Sequence, residues 1–254
     1  MDELIWVQGP AWPGVSLRFS TRRGGTSAAP FNSLNLGAHV GDDPAAVAEN
    51  RRRLSASLPA PPAWLQQVHG TRVIDADQEP TAGMAPVQAD GAFTAQAGRV
   101  VSVMVADCLP IALGDAGGTI VAVVHAGWRG LAAGVIEQAL GQLREHRRQE
   151  QNWRAWIGPA IGPTAFEVGS DVVHAFARSD DGTKRYFMPR PGVADKWLAD
   201  LPALAEHRLR AAGVGDVTQS GRCTYSEPEL FFSYRRDGAC GRMALVAWLD
   251  TPAH

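Results

Sequence analysis

Two runs decide the fold: VVSVMVADCLP (100–110) and TIVAVVHAGWRG (119–130). Each begins as a continuous apolar, β-branched stretch, which reads as a buried strand, and ends in a short segment dense in Gly, Pro or polar residues. The first predicts a strand over 100–106 that stops at Asp107 and Cys108, with Pro110 breaking it. The second predicts a strand over 119–125 that ends on His125. A helix over 131–147 follows at once, with Leu131, Val135, Ile136, Ala139, Leu140 and Leu143 on one apolar face.

Outward from these runs, strands are expected at 15–20, 64–69, 73–75, 91–94, 153–157, 216–220, 230–234 and 242–249. Helices are expected at 44–57, 170–178 and 195–212. The first has Asp43 as N-cap and Pro44 at its first position, and the last ends at Gly213. Strands outnumber helices and do not alternate strictly with them. That pattern argues for an α+β fold with a mixed or antiparallel sheet, not a doubly wound one. The segments 58–64, 78–88 and 179–196 read as surface loops.

The chain has 254 residues, 45% of them apolar, enough to bury a sizeable core. Its formal charge of −2 gives no electrostatic case for a nucleic-acid or membrane partner. No run approaches the length of a membrane span, and the acidic start, MDELIWVQGPAWPG, does not read as a signal peptide. Three cysteines form no evident disulfide framework, so a reducing cytoplasm is the expected compartment.

The chemistry concentrates in QVHG (67–70), VADCLP (105–110) and VVHAGWRG (123–130). These segments supply His69, Cys108 and His125. Two imidazoles and one thiol can hold a zinc ion with an open position, or can build a Cys/His nucleophile pair. Their separations match no short zinc-finger motif, so a metal here would be catalytic. Arg22 in FSTRRGG and Arg129 in HAGWRG could each hold a phosphate or carboxylate. Asn35 could fix a polar ligand or form an Asx-turn. Backbone N–H groups near the start of the helix after Gly130 could bind an anion. Cys223 and Cys240 read as structural, and Arg235 and Arg236 as a solvated turn. There is no GxGxxG after a strand, no P-loop and no GxSxG elbow.

FSTRRGGTS, FNSLNLGAHVGDDPAAVAENRRRL, QQVHG, ADG, ADCLP, HAGWRG, IGPAIGPTAFEV and FFSYRRDG…GR occur in this order. Together they resemble the YfiH-type laccase-domain family, also called the multicopper polyphenol oxidase family, from about Val15 to Trp248. The resemblance implies one domain over 1–254, built of layered mixed β-sheets flanked by helices and cysteine-hydrolase-like in kind. It implies that His69, Cys108 and His125 form the active site and bind zinc, with copper as the other metal. It also implies phosphorolysis of adenosine, inosine, guanosine and methylthioadenosine, and deamination of adenosine. Other members are assigned copper-dependent phenol oxidation or the editing of peptidoglycan precursors. Phe166 stands where the family often has Tyr.

The residues weigh these activities differently. A multicopper oxidase needs more histidine ligands, usually in HxH pairs, and this chain has seven histidines and no such pair. Deamination would use a zinc-activated water, with Glu167 or Asp107 as proton shuttle. Phosphorolysis needs a phosphate held against the anomeric carbon, for which Arg22 and Arg129 are the candidates. Without metal, Cys108 activated by either imidazole would suit an amidase. The expected partners are small molecules, a purine nucleoside and phosphate.

Overall fold

The computed structural model describes residues 3–79, 86–148 and 152–251. Part of the expected loop at 78–88 therefore lies outside the described residues.

A six-stranded sheet runs in the order Asp216–Gln219, Trp153–Ile157, Leu109–Asp115, Val121–Ala126, Gly91–Thr94, Val73–Asp75. Its outermost pairs are parallel and its inner pairs antiparallel, so the sheet is mixed. A four-stranded antiparallel sheet runs Trp6–Gln8, Val15–Ser20, Met243–Leu249, Val101–Val105. Glu167–Gly169, Lys196–Ala199 and Phe187–Pro189 form a small third sheet, and Leu65–Gln66 pairs with Val87–Gln88.

The layering follows from the two-residue period of strands. Val101, Val103, Val105, Leu245 and Ala247 meet Ala112, Val121, Val123 and Trp156 in the core between the two large sheets. The alternate residues Met104, Ala244, Val246 and Trp248 face outward, beneath Leu34, Leu36 and the helix Pro44–Ser55. On the far side of the six-stranded sheet, Leu109, Ile111, Leu113, Ala122 and Val124 pack against the helices Val135–His146 and Leu201–Ala211. Strands covered on both faces need no polar side, which is why both deciding runs read as unbroken apolar stretches.

Five expectations are corrected. Pro110 does not break a strand; it is the second residue of Leu109–Asp115, a strand the sequence reading missed. Proline is tolerated near a strand's start, and the Pro110 carbonyl still accepts from Gly158 N at 2.9 Å. The run 230–234 is no strand. Phe231 and Phe232 are fully buried anchors, and the N–H groups of Leu230 and Phe231 turn back onto the Glu227 carbonyl. The helix expected over 131–147 is two, Trp128–Ala133 and Val135–His146, because Gly134 takes the left-handed conformation at φ 97°. The helix expected over 195–212 starts at Leu201, after the strand Lys196–Ala199, where Asp200 caps it by accepting from Ala203 N. The segment 179–196 carries a 3-10 turn, Asp181–Tyr186, and the strand Phe187–Pro189. The remaining elements fall within a few residues of expectation. Asp43 caps its helix through Ala45 N, and Gly213 follows the last one at φ 85°.

Candidate active site

Cys108 lies where the chain crosses from one large sheet to the other, between Val105 and Leu109. Asp107, at φ 86°, makes the crossing. Such a backbone costs a non-glycine residue energy and must be held in place. Here the Asp107 carboxylate accepts from Thr224 Oγ1 at 2.6 Å and Arg235 N at 2.7 Å. His125 is inside its strand, opposite Pro110, with its side chain on the face towards the second sheet.

His69 reaches the same point from a loop, again in the left-handed region, at φ 60°. Two devices hold that loop. The Gln67 amide pairs with both backbone groups of Met104, at 2.8 and 2.7 Å, in the manner of a strand neighbour. The buried Asp90 carboxylate accepts from the N–H groups of Val68, His69 and Gly70, and from His125 Nδ1 at 2.8 Å. One carboxylate thus fixes both histidines. It also sets the His125 tautomer, leaving Nε2 towards the thiol.

The ligand-type atoms of His69, Cys108 and His125 lie within 4.8 Å of one another. Cys108 Sγ is 3.8 Å from His69 Nε2, and the two rings meet edge to face at 4.7 Å. Burial alone would push the Cys108 thiol up, but the His125 charge and its hydrogen bond, helped by His69, bring it down to about 6. Burial would likewise lower His125, but the Cys108 charge and the Asp90 carboxylate raise it to about 9. Burial disfavours the Asp90 anion too, yet the His125 ring and the Gly70 and Val68 N–H groups hold its carboxyl below the usual range. At neutral pH the centre is a thiolate beside an imidazolium.

The set also fits a metal. Zinc–sulfur and zinc–nitrogen bonds at a tetrahedral centre separate their two ligand atoms by roughly 3.6 Å, close to the spacing already present between Cys108 and His69. The hydrogen bond from His125 to Asp90 is the usual carboxylate support of a metal-bound histidine.

The three residues lie in the wall of a cleft of about 400 Å³, which also has Met104, Ile161, Phe166, Tyr234 and two arginines, Arg235 and Arg242, in its lining. His39 lines it too, and burial together with the nearby Arg242 lowers its imidazole pKa. The structure places the three residues considered for ligand binding in the sequence, Arg22, Asn35 and Arg129, away from this lining. Arg22 donates to the carbonyls of Asn32 and Pro228 and lies over Phe232. Asn35 is buried and accepts from Gly37 N in an Asx-turn. Arg129 is exposed and lies over Trp128. Glu167 lines a neighbouring cavity, and Asp107, though in the cleft wall, is occupied as described. Cys223 accepts from Gly162 N and Ser226 Oγ, and Cys240 is buried beside Arg242. All three cysteines are free.

Arg235 corrects the reading of SYRRDG as a solvated turn, because the turn forms one wall of the cleft. Asp90, Gln67, Tyr234 and Arg242 were also missed. The ADG tripeptide held the only signal for Asp90, an acid beside a glycine at the start of an apolar strand.

Fold and centre define a class: a layered α+β protein with one thiol and two imidazoles gathered where its sheets meet. The family model for multi-copper polyphenol oxidoreductase laccase matches residues 16–250, and the chain belongs to that family. It is 47% identical over 251 residues, 98% of this chain and 100% of the relative, to "Purine nucleoside phosphorylase YfiH" of Escherichia coli. The crystal structure of Neisseria meningitidis protein NMB0706 superposes with a TM-score of 0.90 at 41% identity, covering 98% and 99% of the two chains. That of YlmD from Geobacillus stearothermophilus superposes with a TM-score of 0.85 at 32% identity, covering 97% and 96%.

Proposed function

We propose that this protein cleaves purine nucleosides by phosphorolysis at the His69–Cys108–His125 centre, with adenosine, inosine, guanosine and methylthioadenosine as substrates. The observation that carries the reading is the convergence of these three side chains in the wall of a partly apolar cleft that also holds two arginines. Relatives named as purine nucleoside phosphorylases, matched over 97% or more of their length, support it.

In this reading Phe166, Ile161 and Met104 pack against the purine and exclude water. Arg235 and Arg242 take the phosphate role first considered for Arg22 and Arg129. A phosphate oxygen bonds to the anomeric carbon as the bond from that carbon to the purine nitrogen breaks. The electron pair leaves with the base, which takes up a proton, and His39 is the imidazole outside the three-residue set that can relay it. His69, Cys108 and His125 would hold zinc, and zinc would act there as a Lewis acid. Asp90 keeps His125 oriented in either case.

Deamination of adenosine is the second reading. Its support is that three protein ligands leave zinc a position for water. Its difficulty is that the carboxylates considered for proton transfer are engaged: Glu167 with Arg190 and Lys196, Asp107 with Thr224 and the Arg235 N–H. Multicopper oxidation is disfavoured, since one three-residue cluster is found among the described residues. We place the activity in the cytoplasm, where free thiols persist. No helix among the described residues is long and apolar enough to cross a membrane.

The test is to incubate protein of measured metal content with adenosine, with and without phosphate, beside Cys108→Ala, and to identify products by mass. Adenine and ribose 1-phosphate that require phosphate and vanish in the variant are expected. Inosine formed without phosphate would favour deamination. No product from either protein would overturn the nucleoside reading and favour a thiol-dependent amidase.

A further inference from the structure

We propose that a cationic basin beside the cleft binds the phosphate group of a phosphorylated ligand whose other end lies at Cys108. The basin has a volume of about 680 Å³, and Arg190, Lys196 and Arg235 contribute to its wall, with Glu167 as the carboxylate among its described lining residues. Arg190 and Lys196 close a turn together, through Arg190 N donating to the Lys196 carbonyl at 2.8 Å. Both pair with Glu167, Lys196 at 3.8 Å. Three cations against one carboxylate leave an excess of two positive charges. Concave walls that carry one sign of charge concentrate the corresponding anion, and a phosphate oxygen accepts from guanidinium and ammonium groups together.

Arg235 joins the basin to the cleft. It lines both cavities. Its Nη1 donates to the Glu167 carbonyl at 2.8 Å, and its guanidinium carbon is 5.2 Å from the centre of the Phe166 ring, which lines the cleft. A ligand seated against Phe166 therefore has cationic surface directly beyond Arg235. The exposed ring of Tyr225 and the side chains of Leu198 and Pro191 give the basin apolar wall for the part of the ligand between its two ends. The class of ligand that fits both cavities is a nucleoside esterified with phosphate on its sugar. The nucleoside half of that statement rests on the proposed function; the phosphate half rests on the basin alone.

Calorimetry on the full chain at low ionic strength, without added phosphate, tests both halves. AMP is expected to bind roughly tenfold tighter than adenosine, the gain of one charge-assisted contact. Arg190→Gln and Lys196→Gln should each remove most of that difference. Glu167→Gln should increase it, because the competing carboxylate is gone; a merely structural Glu167 would not strengthen anion binding when neutralised. Inorganic pyrophosphate has no nucleoside, and the part of its binding that responds to Arg190, Lys196 and Glu167, which line the basin and not the cleft, reports on the basin; it should follow the same order across the variants. Raised salt should weaken AMP and pyrophosphate and leave adenosine unchanged. AMP no tighter than adenosine, or pyrophosphate binding indifferent to all three substitutions, would overturn the proposal. Failure of adenosine to bind, with pyrophosphate still following the variants, would count against the nucleoside reading and leave the anion basin standing. Thermal unfolding of each variant separates a lost site from a lost fold.

Discussion

The Asp90 carboxylate accepts four hydrogen bonds, one from the His125 ring and three from consecutive N–H groups of the His69 loop. It acts on Cys108 through these neighbours. The Cys108 charge first, and the Asp90 hydrogen bond and charge after it, keep His125 protonated against its burial, and the imidazolium keeps the thiol ionised. The thiolate is therefore present above about pH 6 and is lost as the pH falls through that value. Metal-free protein should show this in the pH dependence of Cys108 alkylation by iodoacetamide, followed by mass. Asp90→Asn removes the charge and turns one acceptor into a donor facing backbone N–H groups. The His125 pKa should then fall, the Cys108 pKa should rise, and the alkylation midpoint should move to higher pH. Zinc affinity or turnover should drop roughly 10- to 100-fold. An unchanged midpoint would show that Asp90 only braces the loop. The three central residues were legible in the sequence because thiol and imidazole side chains at the ends of apolar runs stand out. Asp90 was not, because a buried carboxylate declares its role only through partners 20 to 35 positions away.

HAGWRG carries two glycines for a reason that belongs to the packing of elements. A Cβ on Gly127 would lie 2.7 Å from the His69 ring and 3.1 Å from Cys108 Sγ. One on Gly130 would lie 2.7 Å from the Gly70 carbonyl. The surface that approaches these two glycines so closely is the protein's own His69 loop. The two substitutions should differ in kind. Gly127→Ala meets side chains that can shift, so it should displace His69 and Cys108, cut zinc binding or turnover at least tenfold, and leave stability within about 1 kcal/mol. Gly130→Ala meets backbone, so it should cost about 1–3 kcal/mol in chemical denaturation as well as activity. Equal stability losses in the two variants would contradict this division. The same local scale explains the misread elements. Phe231 and Phe232 look like strand residues by composition, but they are buried by tertiary contact without a ladder. Pro110 looks like a strand breaker, but its carbonyl is the group that Gly158 N, at the end of the adjacent strand, uses.

On the scale of the whole molecule, the centre sits at the seam of two sheets, and its geometry depends on some layers of the core more than others. Cys108 is followed directly by Leu109, fully buried among the residues on the helix-covered side of the six-stranded sheet. Leu54 is equally buried, but in the outer layer, beneath the four-stranded sheet's far face. Truncation of either to alanine should cost about 2–5 kcal/mol, since both leave a cavity in a packed core. Only Leu109→Ala loosens the strand that anchors Cys108 and pairs with the His125 strand. Its thiol should therefore lose contact with His125, and its alkylation midpoint should rise from about 6 towards that of an ordinary cysteine. Leu54→Ala should keep the wild-type midpoint despite a comparable loss in denaturation experiments. A wild-type midpoint in both variants would mean that the loop contacts of Asp90 and Gln67 suffice to hold the centre. A raised midpoint in both would mean that the layers form one unit, with every core residue coupled to the thiol.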